Sequence, residues 1–169
     1  TPAAYLQIVA ATNFKQRTRK MLEYFHADRL IYAVMGTPNL LEYDQGFFVK
    51  NGDGAADLKP IAHLYKTQVY ALADALALPE EIRTAKPTTD TYSLEQGQDE
   101  FFFALPYDKM DIVLFGLNHG MPSERVAEES GLTVEQVKWV LQDIRNKRRT
   151  TYPLHLKPVL MEPVQEIVS

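Results

Sequence analysis

The chain has 169 residues, of which 46% are hydrophobic and 24% charged, and carries a formal net charge of -4. Those proportions are ordinary for a globular domain large enough to bury a core, and they exclude wholesale disorder. The acidic balance offers no general attraction to nucleic acid or anionic lipid, the absence of cysteine removes disulfides, thiol nucleophiles and zinc-thiolate sites, and no apolar run approaches the roughly 20 residues of a membrane span.

The opening "TPAAYLQIVAATN" lacks an initiator Met and the basic start and cleavage site of a signal peptide. It reads as a processed chain or a fragment, and the expected setting is cytoplasmic. Residues 13 to 27 place Phe14, Arg17, Met21, Leu22 and Phe25 at spacings of three and four, which predicts a helix capped by Asn13. "RLIYAVMG" follows as a short apolar run ended by Gly36 and Pro38, the pattern of a buried strand. Helix, strand, then a loop at the strand's C-terminal end is the grammar of a parallel α/β sheet, so "GTPNLLEYDQGFFVKNGDGAAD" is the candidate binding edge. From Pro60 to about Leu76, the residues Ile61, Leu64, Tyr65, Val69, Leu72 and Leu76 predict an amphipathic helix that buries one stripe.

Residues 84 to 100 hold almost no aliphatic side chain and are too long for a plain connector, which predicts a mobile loop of the kind that serves as a lid. A helix from about Pro106 to Leu117, stopped by Gly120, comes next; Ser123 caps another that exits at Gly131, and Thr133 caps "TVEQVKWVLQDIRNKRR". The tail "TYPLHLKPVLMEPV", with three prolines, is expected to be extended.

The stretch "NGDGAAD" is not a calcium loop, because no Glu stands at the twelfth position, and it fits neither the Walker nor the dinucleotide fingerprint. Gly52 and Gly54 let the backbone turn sharply or approach a ligand, and Asp57 offers an acceptor; the alternative is a turn whose Asp side chains bond their own backbone. Glu42, in the loop after the predicted strand, is either a solvated carboxylate or a Mg²⁺ ligand, and Lys50 and Lys66 are either surface lysines or phosphate contacts. The histidines lack metal spacing. Residues 123 to 149 also have the outline of a helix-turn-helix with a basic end, which makes a DNA-binding module the first rival reading. Against it, Val134, Val137, Val140, Leu141 and Ile144 form a core-like stripe, and Glu135 faces DNA badly.

Taken in order, "NFKQRTRK", "GTPNLLEYDQGFFVKNGDGAADLKPIAHLYKTQVYALA", "KPTTD", "QDE" and "NKRRTTYP" resemble the C-terminal half of NAD synthetases of the ATP-pyrophosphatase superfamily, over about residues 10 to 152. The resemblance implies an α/β chain: a partial Rossmann-like layer fold of the adenine nucleotide alpha-hydrolase type, with a parallel strand core and C-terminal helices. Residues 1 to 169 would then be the C-terminal portion of the NAD synthetase domain. It also implies a ligase reaction in which ATP adenylates the nicotinate carboxylate of deamido-NAD and ammonia displaces AMP. By matching position, Thr37, Lys66 and Thr88 would contact ATP, Glu42 would hold Mg²⁺, and Arg17, Lys50, Asp57, Asn146 and Lys147 would bind deamido-NAD. The family's homodimers imply a second copy as partner, helped by the exposed apolar surface expected of a half-domain.

The departures are specific. The family's S-G-G-x-D-S loop is absent from this sequence, and with it half of the ATP site, so the chain alone is expected not to make NAD. Asn146 stands where many relatives carry His, and Leu41 where a small or polar residue is common. No nitrilase-like glutaminase sequence is present to support glutamine as nitrogen donor. A fragment that kept the fold and lost the activity is the second rival.

Overall fold

The computed structural model describes residues 1–88 and 97–162. Among these lie seven α-helices: α1 (Pro2–Leu30), α2 (Leu40–Gln45), α3 (Lys66–Ala75), α4 (Glu80–Arg83), α5 (Tyr107–Asn118), α6 (Ser123–Ser130) and α7 (Val134–His155), with a π-helical turn at Asp99–Phe103.

The packed part is C-terminal. α5 lies against α3, α6 and α7, α6 packs on α7, and α2 closes the far side of α7. Met110, Val113 and Leu114 of α5 meet Val126 of α6, Val137, Val140 and Ile144 of α7, and Leu41 of α2 in one core. Gly116 permits the α5–α6 approach, since a Cβ there would overlap the Val126 side chain. α7 starts as the sequence predicts: Thr133 caps it with a reciprocal Gln136 box. Gly131 ends α6 in the left-handed region, φ 67°.

The basic end of α7 is engaged within the chain. Arg148 makes a fork onto Asp44, at 2.9 and 2.7 Å, and Lys147 donates to the Phe102 carbonyl and to Asp143. With Val137, Val140, Leu141 and Ile144 in the core, the stripe of α7 packs within the chain, and Lys147 and Arg148 are taken by internal partners.

Several sequence expectations need correction. α1 begins at Pro2, not at Asn13, because Thr1 supplies a side-chain cap to Ala4 and Pro sits in the first turn, where its missing N–H costs nothing. The parallel strand core is not found among the described residues. "RLIYAVMG" contributes a single parallel bridge, Met35 to Leu58, and the Val34 N–H is taken by the Asp57 carboxylate at 2.7 Å rather than by a neighbouring strand. Ile31, Tyr32 and Met35 lie exposed, so this segment is not buried on both faces. The predicted helix from Pro60 is α3, which starts at Lys66 because Asp111 accepts the N–H groups of Lys66 and Thr67 there; none of its residues is fully buried. Pro122, not Ser123, is the N-cap of α6. The tail is helical as far as His155, through Pro153, because the Lys50 ammonium supplies donors to the closing carbonyls of Pro153 and Leu156. No helix of the described residues is long and apolar enough to cross a membrane.

Candidate functional site

An open cleft of about 560 Å³ lies between α1, the start of α2 and the π-helical turn. Thr37, Glu42 and Thr88 line it, with Asp53, Phe47 and Phe101. Glu42 is placed by local chemistry: the Asn39 N–H donates to its carboxylate at 2.8 Å, and the Glu42 N–H donates back to the Asn39 side chain at 3.2 Å. Burial raises the Glu42 pKa above its ordinary value, against the Asn39 hydrogen bond and the Lys66 charge, with Asp53 adding a further upward push. Burial likewise raises Asp53, whose carboxylate accepts the Val49 N–H.

Lys66 stands beside this cleft rather than in its lining. Its ammonium lies over the rings of Tyr70 and Tyr107, 5.2 and 5.4 Å from their centroids. Thr88 pairs with Gly97 in an antiparallel bridge and its carbonyl accepts from Gln98 at 3.4 Å, so the two ends of the polar segment meet at a neck. Residues 89–96 of the expected mobile loop are outside the described residues.

Arg17, Lys50 and Asp57 form a second group on one side of α1. The Arg17 guanidinium donates to the Lys50 carbonyl at 3.2 Å; about two turns further along the same face of α1, Tyr24 donates to Asp57 at 3.4 Å. Asp57 therefore bonds another segment of backbone, at Val34, and Asp53 is the residue that braces its own turn. Gly54 is needed because a Cβ would strike the Phe48 ring and the Val49 carbonyl, an approach of chain to chain rather than to a ligand. Asn146 and Lys147 sit apart from these, on α7. Asn146 is exposed and accepts from Gln142, while Lys147 lies 4.4 Å from the Phe102 ring centroid.

The residues fit a hard cation only in part. No three His, Cys, Asp or Glu among the described residues cluster as a full ligand set. A desolvated Glu42 repelled by Asp53 is nonetheless the oxygen-donor environment that Mg²⁺ accepts, since that ion takes one or two carboxylates together with substrate phosphates.

A family model described as NAD synthase matches residues 3–151. The chain belongs to the NAD synthase family. An NH(3)-dependent NAD(+) synthetase of Rhizobium meliloti (strain 1021) is 68% identical over 166 residues, 98% of this chain and 50% of that relative. One of the same name from Mesorhizobium japonicum is 63% identical, covering 98% of this chain and 52% of its own length. The chain thus spans about half the length of these curated relatives. Among solved structures, an NMN synthetase from Francisella tularensis aligns with TM-score 0.70 and 25% identity, over 95% of this chain and 63% of that one. An NH3-dependent NAD synthetase from Campylobacter jejuni, in complex with nitrate, aligns with TM-score 0.65 and 25% identity, over 91% and 56%.

Sequence reasoning missed residues that organise this NAD synthase segment from outside its motifs. Asp111 is buried on α5 and accepts the Lys66 N–H, the Thr67 N–H and the Thr67 hydroxyl, which caps α3 and fixes where Lys66 starts. Its spacing is that of a core position, so a carboxylate there was the available signal: buried Asp is rare unless hydrogen-bonded. Tyr107 falls within the predicted α5 helix, and its link to Lys66 has no sequence signal, because nothing local couples residues 41 positions apart.

Proposed function

We propose that this segment supplies the substrate-facing part of an ammonia-dependent NAD synthetase, with the rest of the ATP site on a further length of chain. Its substrates are ATP, deamido-NAD and ammonia. The observation that carries the reading is the grouping of Thr37, Glu42 and Thr88 around one cleft, with the Lys66 charge within electrostatic reach of Glu42.

The chemistry explains why such groups are needed. A nicotinate oxygen attacks the α-phosphorus of ATP, the bond to pyrophosphate breaks, and an acyl-adenylate forms. The nitrogen of ammonia then attacks the acyl carbon, the bond to AMP breaks, and a proton is released as the amide forms. Both steps move negative charge onto phosphate oxygens, so fixed positive charge and hydrogen-bond donors lower the barrier more than any nucleophile would. Lys66 provides charge, and the hydroxyls of Thr37 and Thr88 donate to phosphate. When bound at Glu42, Mg²⁺ would supply further charge neutralisation and alignment. Arg17, Lys50, Asp57, Asn146 and Lys147 hold deamido-NAD in this reading. Lys50 spends two of its three N–H donors on the carbonyls of Pro153 and Leu156, which leaves one for the dinucleotide.

The same reading makes the protein a cytoplasmic homodimer with a parallel strand core completed outside this segment. What supports a covered surface is α1, on which Tyr5, Leu6, Phe14, Met21, Leu22 and Phe25 stand exposed. The deciding experiment fuses this segment to the N-terminal half of the Rhizobium meliloti relative and measures ATP- and ammonia-dependent NAD formation from deamido-NAD. Lys66→Ala and Glu42→Gln should each lower kcat/KM by on the order of 10². Wild-type rates in both variants of an active fusion would overturn the site.

A further inference from the structure

Lys66 and Thr88 lie on different segments, yet one side chain of α5 reaches toward both. The Tyr107 ring stands 5.4 Å from the Lys66 ammonium, and Tyr70, one turn along α3, completes the slot at 5.2 Å. On its other end, the Tyr107 hydroxyl donates to Gln98 at 3.1 Å, and the Gln98 amide donates to the Thr88 carbonyl at 3.4 Å. One turn beyond, Asp111 holds the Lys66 main chain at 3.2 Å. No ion pair joins Lys66 to Glu42 among the described residues, although their charges feel each other.

We propose that Tyr107 is a positioning residue that sets two ATP contacts at once, Lys66 through its ring face and Thr88 through its hydroxyl and Gln98. The inference rests on the reading of Lys66 and Thr88 as ATP contacts given above. A Lys stem has four rotatable bonds, and the charge of the half-buried Glu42 draws its ammonium away from any fixed station. The π faces offer a competing, weaker station: they orient the charge without neutralising it, so both Lys66 and Glu42 stay available to a ligand. Tyrosine suits this place better than phenylalanine because the hydroxyl carries the second arm. That phenol stays neutral and able to donate, since burial, with Glu42 and Asp99 nearby, pushes its pKa up.

The test uses the active fusion and steady-state kinetics in ATP. Tyr107→Leu should raise the KM for ATP about thirtyfold, roughly tenfold for the cation–π station and threefold for the hydroxyl arm, with the KM for ammonia unmoved. Tyr107→Phe, which keeps the ring and its packing, should lose only the hydroxyl arm, raising the KM for ATP about threefold. In a Lys66→Ala background, Leu at 107 should cost no more than Phe at 107 does, and in a Thr88→Ala background Phe at 107 should cost nothing further. Additive losses in both backgrounds, or Phe at 107 matching either wild type or Leu, would overturn the coupling. Wild-type ATP kinetics in Lys66→Ala alone would instead defeat the ATP assignment of Lys66, and that outcome is distinguishable because it does not involve Tyr107.

Discussion

α1 and α7 are the two long helices of this chain and they are built on opposite terms. α7 has 22 residues and buries Val137, Val140, Leu141 and Ile144 in the shared core. α1 has 29 residues and buries only Lys20 and Ala27, while Tyr5, Leu6, Phe14, Met21, Leu22 and Phe25 stand exposed. Its described ties run to the loop carrying Lys50 and Asp57 and are mostly polar: Arg17 to a carbonyl, Tyr24 to a carboxylate. Helix formation and helix packing are therefore separate questions. A capped sequence of good helix formers suffices for the first, and of these two long helices only α7 has the second.

That contrast predicts unequal costs for equal truncations. Ile144→Ala removes a fully buried side chain and should destabilise the chain by about 3–4 kcal/mol, read from the urea midpoint at unchanged slope. Phe14→Ala, at a position 70% exposed, should fall within about 0.5 kcal/mol of wild type in the same measurement. A loss of several kcal/mol at Phe14 would mean that α1 is covered in solution by a second copy, and the loss would then depend on protein concentration.

Between the two helices sits Glu42, where function and stability pull apart. Its folded-state pKa is raised, so the folded state holds the proton more tightly than the unfolded state does, and this carboxyl makes stability fall as pH rises from the ordinary carboxylate range through the raised value. Glu42→Gln should raise the urea midpoint at pH 7 and leave it nearly unchanged near pH 4, where the carboxyl is protonated in both states. In the fusion the same change is the one expected to lower kcat/KM by about 10². A variant less stable at pH 7 would show that Lys66 and Asn39 outweigh the burial.

What the sequence made legible divides along the same line. Gly131, Thr133 and the stripe of α7 were readable because caps and periodicity are local; the segment holding Thr37 and Glu42 was readable as a contiguous motif, but Glu42 lies in the helix α2 rather than in the expected loop, a helix whose Asn39 capping box was equally local. The strand was overread: an apolar run such as "RLIYAVMG" fits a sheet interior, but whether it finds neighbours on both sides is a long-range matter, and here it meets only the segment at Leu58. Lys50 and Arg148 show the same limit from the polar side. Their charge was legible, but their partners, about a hundred residues away on the chain, were not.

The smallest effect tests how α1 ends. Ile31 closes it with φ 57° and ψ 49°, a left-handed conformation that a β-branched residue adopts at a cost of about 1–2 kcal/mol, and the side chain is 93% exposed, so packing returns little. Ile31→Gly should therefore stabilise the helix end by about 1 kcal/mol. The mirror experiment is Gly131→Ala at the end of α6, φ 67°, where a Cβ meets nothing and the conformational cost stands alone at about 1 kcal/mol. Amide exchange at Tyr32, whose N–H donates to the Ala27 carbonyl at 2.9 Å, should slow in Ile31→Gly. Unchanged protection there, with the expected loss in Gly131→Ala, would mean that α1 leaves its left-handed cap in solution while α6 keeps its own.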